Sequence, residues 1–449
     1  MIVDSDKKYE SFLIEISGKN CIFYIVTTSN NIHNCISKPL LLLVKNTNDD
    51  VYYVININHY DFIYSVDYHK LLSDLNSVNC NKFAVDKKRL LNVFPLANVN
   101  DLQLIEFIND GKVDDIPNNL PQYQFYYNKF KGEININQFI PSAIHLAYFE
   151  KVCGLYEENI EKLTDDEGYK NINTLIIENL QKIEKNGLYI DKSLFGLHFK
   201  DKNVCIIDNK VYTEYNIFTS TGRPSNRFGG INYAALNKEN KCRESFISRY
   251  GDNGMLLLID YSAYHPHIVA KLVNYVLPDN VYSYLGKYYT GKDELTDDEL
   301  KAAKNLTFQC MYGNIPEELS DIPYFKKMND YINHRWKYFN EYGYVETPIY
   351  KRHITQNHIA DPNPNKLFNY ILQASETEFG MRALSDINHY LDDKKTKVVL
   401  YTYDSFLFDV NKDDGKQTIV DLKRIMSNNG FPVKCYAGHN YNNMVVVNI

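Results

Sequence analysis

Residues 256–272 read LLLIDYSAYHPHIVAKL, and the fold turns on how they are interpreted. A short apolar run, Leu256–Ile259, reads as a buried strand that delivers Asp260 to its C-terminal end. A carboxylate there is costly unless it is exposed or paired with a cation. Residues 397–410, KVVLYTYDSFLFDV, repeat the arrangement. Val398–Thr402 and Phe406–Val410 read as the arms of a hairpin with Asp404 at the turn. Two aspartates at the ends of buried strands can hold a pair of Mg²⁺ ions roughly 4 Å apart for in-line phosphoryl transfer. Either segment taken alone also fits a solvated turn aspartate.

A third segment, TDDELKAAKNLTFQCMYG at 296–313, opens with a capping box formed by Thr296 and Glu299, so a helix starts near Asp297. Lys304, Phe308 and Tyr312 then recur every fourth residue and share one helix face. A cation, a flat ring and a phenol in line suit a nucleoside triphosphate, with charge for the phosphates and ring faces for sugar and base. A stripe of this kind is also what core packing produces.

Together the three segments resemble the palm and fingers of family A, polymerase I-like, DNA polymerases. DYSAYHPH is similar to motif A, Lys304-x3-Phe308-x3-Tyr312-Gly313 to motif B, and Tyr403-Asp404-Ser405 to motif C. Further matches stand in the family's order. Thr219–Arg223 resembles the TxTGR element, with Asn232 after it, and Arg243–Ile247 resembles Arg-x-x-Phe-Ile. Gly343–Thr347 followed by Lys351-Arg352 resembles GYVET…GRR, and Asn369-x3-Gln373 resembles the Asn/Gln pair that reads the minor groove.

The resemblance spans about 190–449 and implies an α+β fold: a right-hand palm and fingers, preceded by an RNase H-like exonuclease-type α/β domain. The implied division is 1–165 for the exonuclease-like domain and 166–275 for the N-terminal palm with a truncated thumb region. Residues 276–345 would be the fingers and 346–449 the C-terminal palm. The implied activity is template-directed DNA synthesis from dNTPs on a primer-template, with two Mg²⁺ ions as cofactor and Mn²⁺ as a substitute. Asp260 and Asp404 would be the catalytic metal ligands, assisted by the Tyr261 carbonyl. Lys304, Lys301, Phe308, Tyr312 and His265 would bind the nucleotide. Arg223, Asn232, Lys351, Arg352, Asn369, Gln373 and Tyr403 would contact primer or template. No protein general base is needed, because positioning and metal charge can supply most of the barrier reduction.

The chain departs from the family in four places. Leu300 stands where the family has a phosphate-binding Arg, with Lys301 as its neighbour, so weaker triphosphate binding is expected. His265 replaces the usual sugar-selecting Glu, so the family's Glu–Tyr hydrogen bond is not expected to form in the same way. Ser405 follows Asp404, as in the related single-subunit RNA polymerases. Only about thirty residues separate Tyr189-Ile190-Asp191 from Thr221-Gly222-Arg223, too few for a long helical thumb. Low processivity, or a clamp-like protein partner, is the expected consequence. An RNA- or primer-synthesising enzyme of the same fold, and a catalytically silent replication subunit, are the competing readings.

The N-terminal region alternates β-rich runs (Cys21–Thr27, Leu40–Lys45, Val51–Ile57) with polar turns, and 111–140 reads as loop. Where the family's exonuclease has F-D-I-E, this chain has Phe23-Tyr24-Ile25-Val26, and Leu90 stands at another expected Asp. A two-metal nuclease cannot run without its carboxylates, so proofreading is not expected.

The chain has 449 residues and a net charge of −7, which excludes a globally basic nucleic-acid binder but not a local basic groove. Eight cysteines are scattered with no CxxC pair, which fits reduced thiols in a cytosol. No secretory signal or membrane span is read, so a cytoplasmic protein is expected, including a viral protein acting inside a host cell.

Overall fold

The computed structural model describes residues 1–29, 37–113, 116, 120–133, 135–163, 166–202, 204, 206–212, 214–226 and 230–448. The chain forms two compact units, Met1–Lys185 with Cys205–Asp208, and Asn186–Val204 with Asn209–Ile449. The division after Lys185 lies beyond the 165 boundary read from sequence.

The first unit is built on a six-stranded sheet of β1 (Ile2–Val3), β2 (Asn20–Thr27), β3 (Pro39–Asn46), β4 (Val51–Asn56), β5 (Asn81–Ala84) and β6 (Val99–Asp101). Its order is β1-β4-β3-β2-β5-β6. β3 runs antiparallel to both neighbours, while β1, β5 and β6 join in parallel. Leu40–Val44 of β3 are wholly buried, as expected of a central strand covered on both faces. Helices α1 (Asp6–Glu15), α2 (Tyr68–Ser77), α3 (Lys87–Val93) and α4 (Leu102–Asp110) begin at Ser5, Asp67, Asp86 and Asp101. Each of these caps accepts a first-turn amide, which satisfies a donor the helix itself cannot.

Part of the segment expected as loop is helical: α5 spans Pro121–Lys129, with Pro121 in its first turn. It has no apolar period to betray it, and only Tyr123 is buried, its phenol 2.6 Å from His145 Nδ1. Helix α6 (Ser142–Tyr156) packs on β2 and β3, with Phe149 stacked on Tyr24 at 5.7 Å. Beyond it α7 (Glu167–Asn171), a π turn and α8 (Ile177–Asn186) carry the chain to Gly187, whose φ of +59° lets the helix stop. Buried lysines at the start of α3 tie α8 to that helix: Lys87 reaches Glu178 at 2.8 Å, and Lys88 reaches Glu184 at 2.7 Å.

The second unit begins with short pieces: β7 (Leu188–Tyr189), α9 (Lys192–Phe199), β9 (Lys210–Val211), β10 (Tyr215–Asn216) and β11 (Ser225–Asn226), with β8 (Ile206–Ile207) grouped in the first unit. Among the described residues between 191 and 223, α9, of eight residues, is the longest helix. The centre is a five-stranded sheet, ordered β15-β16-β12-β17-β18. Its strands are β12 (Gly254–Tyr261), β15 (Lys397–Tyr401), β16 (Ser405–Asn411), β17 (Val433–Gly438) and β18 (Val445–Val446). Every pairing in it is antiparallel.

Helices α10 (Tyr264–Leu272), α11 (Val281–Thr290), α12 (Asp297–Tyr312) and α13 (Pro323–Tyr342) follow β12. The ribbon β13 (Tyr344–Glu346) and β14 (His353–Thr355) leads to α14 (Pro364–Tyr390), and α15 (Lys416–Ser427) lies between β16 and β17. The strand–helix–hairpin order read from sequence is therefore present, and Thr296 and Glu299 do form both halves of the capping box. Cys35 and Cys205 lie outside the described residues, and the described cysteines are free thiols. No helix of the described residues is long and apolar enough to cross a membrane.

Candidate active site

β12 lies between β16 and β17, and its last residues open into a cavity of about 880 Å³ within the second unit. Asp260 stands second from the end of β12, and Asp404 in the turn between β15 and β16. Asp260 is in register with Ser405, and the Tyr261 amide donates to the Asp404 carbonyl at 2.9 Å. The turn that carries Asp404 is tight: Tyr403 has a φ of +70°, and the Thr402 and Ser405 hydroxyls meet at 2.7 Å. Burial, and next the Asp404 charge, push the Asp260 carboxyl up to about 7. Burial and then the Glu376 carboxylate raise Asp404, with Arg223 and His265 opposing.

Helix α12 contributes one lining of the cavity. Lys301, Lys304, Phe308 and Tyr312 all border it, as does Leu300. Phe308 and Tyr312 lie nearly parallel, with centroids 5.9 Å apart and planes 7° apart, so the predicted single face exists. Lys304 Nζ hovers over the Phe308 ring at 6.0 Å and over Tyr282 of α11 at 5.7 Å.

At the far end of the cavity His265, on the first turn of α10, bonds through Nδ1 to the Tyr312 hydroxyl, so the link to the phenol is made by an imidazole in place of a carboxylate. Its other nitrogen lies 3.0 Å from Glu376 Oε1. Glu376, buried on α14, is held by Arg223 through Nε at 2.7 Å and Nη2 at 3.0 Å. Arg223 also stacks on Tyr403 at 3.9 Å from the ring centre. Sequence reading missed Glu376. The available signal was an acidic residue on a helix face otherwise occupied by Leu372, Ser375 and Phe379, since a buried carboxylate demands a partner.

The remaining expected residues are placed unevenly. Asn369 donates from Nδ2 to the Tyr312 carbonyl at 3.3 Å, and Gln373 lies half-buried one turn further along α14. Asn232 and Lys351 are exposed, and neither borders the cavity. Arg352 departs from the reading as a strand contact: it is buried at 4% exposure, and Nη2 donates to the Ser220 carbonyl at 3.3 Å. It packs under Gly222, where a Cβ would stand 2.1 Å from Nη1. Its position makes it a support for the 219–223 loop.

Among the described residues, no group of three or more His, Cys, Asp or Glu side chains is arranged to hold an ion. Two carboxylates with raised pKa values beside a cavity nevertheless fit a hard cation, because Mg²⁺ is commonly held by one or two carboxylates together with substrate phosphates. In the first unit, the positions expected to have lost their carboxylates are occupied by packing. Tyr24 lies 5.9 Å from Tyr148 with the Arg89 guanidinium over its ring, and Leu90 is buried.

The fold is that of a DNA polymerase domain. The chain superposes on the POL domain of Pol1 from M. smegmatis in complex with DNA primer-template and dNTP. The TM-score is 0.75 at 13% identity, over 99% of this chain and 100% of that one. No family model matches the chain.

Proposed function

We propose that the protein is a family A-type DNA polymerase that transfers nucleotides from dNTPs to a primer 3′-OH on a template. The carrying observation is the convergence of Asp260, Asp404 and the Lys304–Phe308–Tyr312 face of α12 on one cavity. In this reading the central sheet is the palm, residues 276–345 are the fingers and 346–449 complete the palm. The short span from 191 to 223 is a reduced thumb.

Asp260 and Asp404 would hold Mg²⁺, which when bound supplies charge for the developing pentavalent phosphate. The chain's own residues do the positioning. Lys304 and Lys301 draw the triphosphate in, and Phe308 and Tyr312 offer ring faces to sugar and base. His265, braced by Glu376 and Arg223, fixes the Tyr312 hydroxyl against the sugar edge and so serves as the gate for the 2′ position. The first unit, with its β3 antiparallel among parallel neighbours, fits an RNase H-like exonuclease scaffold whose metal carboxylates are absent. Synthesis then proceeds without proofreading.

Primer extension on a recessed DNA template with Mg²⁺ tests the reading, with dNTPs and rNTPs in separate lanes and Asp404→Asn as control. Short, template-dependent dNTP products that vanish in the variant are expected. Extension by rNTPs alone moves the assignment to an RNA-synthesising enzyme of the same fold.

A further inference from the structure

Asp260 has a neighbour on each side in the sheet: Ser405 on β16 and Lys434 on β17. Directly opposed residues of an antiparallel pair send their side chains to the same face, about 5 Å apart at Cβ. Asp260 and Lys434 accordingly both border the cavity. The Ser262 amide donates to the Pro432 carbonyl at 2.8 Å, which fixes the start of β17 against the end of β12. Lys434 is exposed and, among the described residues, forms no ion pair.

The charges around the two aspartates are sorted. Those acting on Asp260 after Asp404 are Lys434, Lys238 and Lys304, whereas Asp404 faces Glu376, Arg223 and His265. The cavity therefore has a lysine end, formed from α12 and β17, and a gate end, where the lone arginine is committed to Glu376. A nucleotide reacting at the carboxylates must place its α-phosphate there. Its β- and γ-phosphates, the most anionic part, extend toward the lysine end. On α12, the residue one turn before Lys304 is Leu300, which can offer them nothing.

Resting on the polymerase reading, we propose that Lys434 is a third phosphate-binding cation of the site. With Lys301 and Lys304 it contacts the β- and γ-phosphates of the incoming nucleotide and the pyrophosphate that departs. The primer 3′-hydroxyl gives its proton to solvent as its oxygen bonds to the α-phosphorus, the bond from that phosphorus to the β-bridging oxygen breaks, and pyrophosphate leaves with its added charge met by Lys434.

The test compares wild type with Lys434→Met, which keeps the apolar stem, and Lys434→Arg, which keeps the charge. Single-nucleotide extension, its reversal by pyrophosphate and equilibrium binding of radiolabelled dNTP are measured on each. Lys434→Met should raise KM for both dNTP and pyrophosphate roughly tenfold, with primer-template affinity unchanged, and Lys434→Arg should restore both. A merely structural role would not move the two phosphate substrates together and spare the primer. Wild-type extension with an unchanged Lys434→Met overturns the lysine assignment alone. A wild type that neither extends a primer nor retains dNTP overturns the polymerase reading and this assignment with it.

Discussion

The backbone amide of Tyr261 donates to the carbonyl of Asp404, so the strand end that carries one carboxylate is latched to the turn that carries the other. The bond uses main-chain atoms only, and the spacing of the two backbone segments that carry the carboxylates does not depend on the carboxylates themselves. Asp260→Asn and Asp404→Asn should therefore fold as wild type does while losing at least about a thousand-fold in primer extension, the loss of several kcal/mol of charge stabilisation. Thermal melts beside extension rates check this. A variant that melts normally and still extends would remove its aspartate from the mechanism.

The Tyr312–His265–Glu376–Arg223 chain predicts a separable effect on sugar choice. Glu376→Gln leaves one partner short for both the imidazole and the guanidinium in a buried setting. It should cost about 3 kcal/mol of stability and lower the dNTP-over-rNTP preference in kcat/KM. His265→Ala should lower that preference further, with less loss of stability. Competition between a dNTP and its rNTP on one template measures it, and an unchanged ratio in both variants would refute the gate.

Lys88 and Glu184 form an ion pair in the first unit, with the Glu184 side chain wholly buried. Glu184→Ala takes this carboxylate from a buried ammonium and should destabilise by about 3 kcal/mol. Lys88→Met with Glu184→Leu, which removes both charges and keeps the volume, should recover most of that. Denaturant unfolding of the single and double variants is the measurement, and a double variant as weak as the single one would contradict it.

Asp101 caps α4, accepting the Leu104 and Lys87 amides at 2.8 Å each. Burial first, and Asp86 second, push its carboxyl up to about 7. A raised carboxyl binds its proton more tightly in the folded chain, so the cost of ionising it begins near the ordinary carboxylate range. That cost grows as pH rises and is complete above about 7. Asp101→Asn carries no such cost. Its melting temperature relative to wild type should climb between pH 4 and pH 8, and a flat difference across that range would show that Asp101 is not the titrating group.

What the sequence disclosed follows from how local each signal is. The apolar run before Asp260, the hairpin around Asp404 and the box at Thr296 are contiguous, and periodicity or a capping pair marks each. Lys434 carries no local mark, and the roles of Glu376 and Arg352 emerge only in the fold, because they depend on which neighbours strand pairing and a 27-residue helix with buried positions on every side bring to them. Lys434 becomes meaningful only once β17 is known to pair with β12. Helix α5 was hidden for the opposite reason: its Tyr, Gln and Asn residues lack an apolar period, and Pro121 marks a helix start as readily as a turn.

Gly222 sits directly on the buried guanidinium of Arg352, at a φ of +75°. Any side chain there would have to displace the end of that buried guanidinium and also accept a strained backbone. The run Thr219–Arg223 is thus constrained from beneath as well as by whatever approaches from above. A substitution at Gly222 is therefore expected to need a compensating change at Arg352, so that the surface turn and the hidden residue act as one mechanical unit.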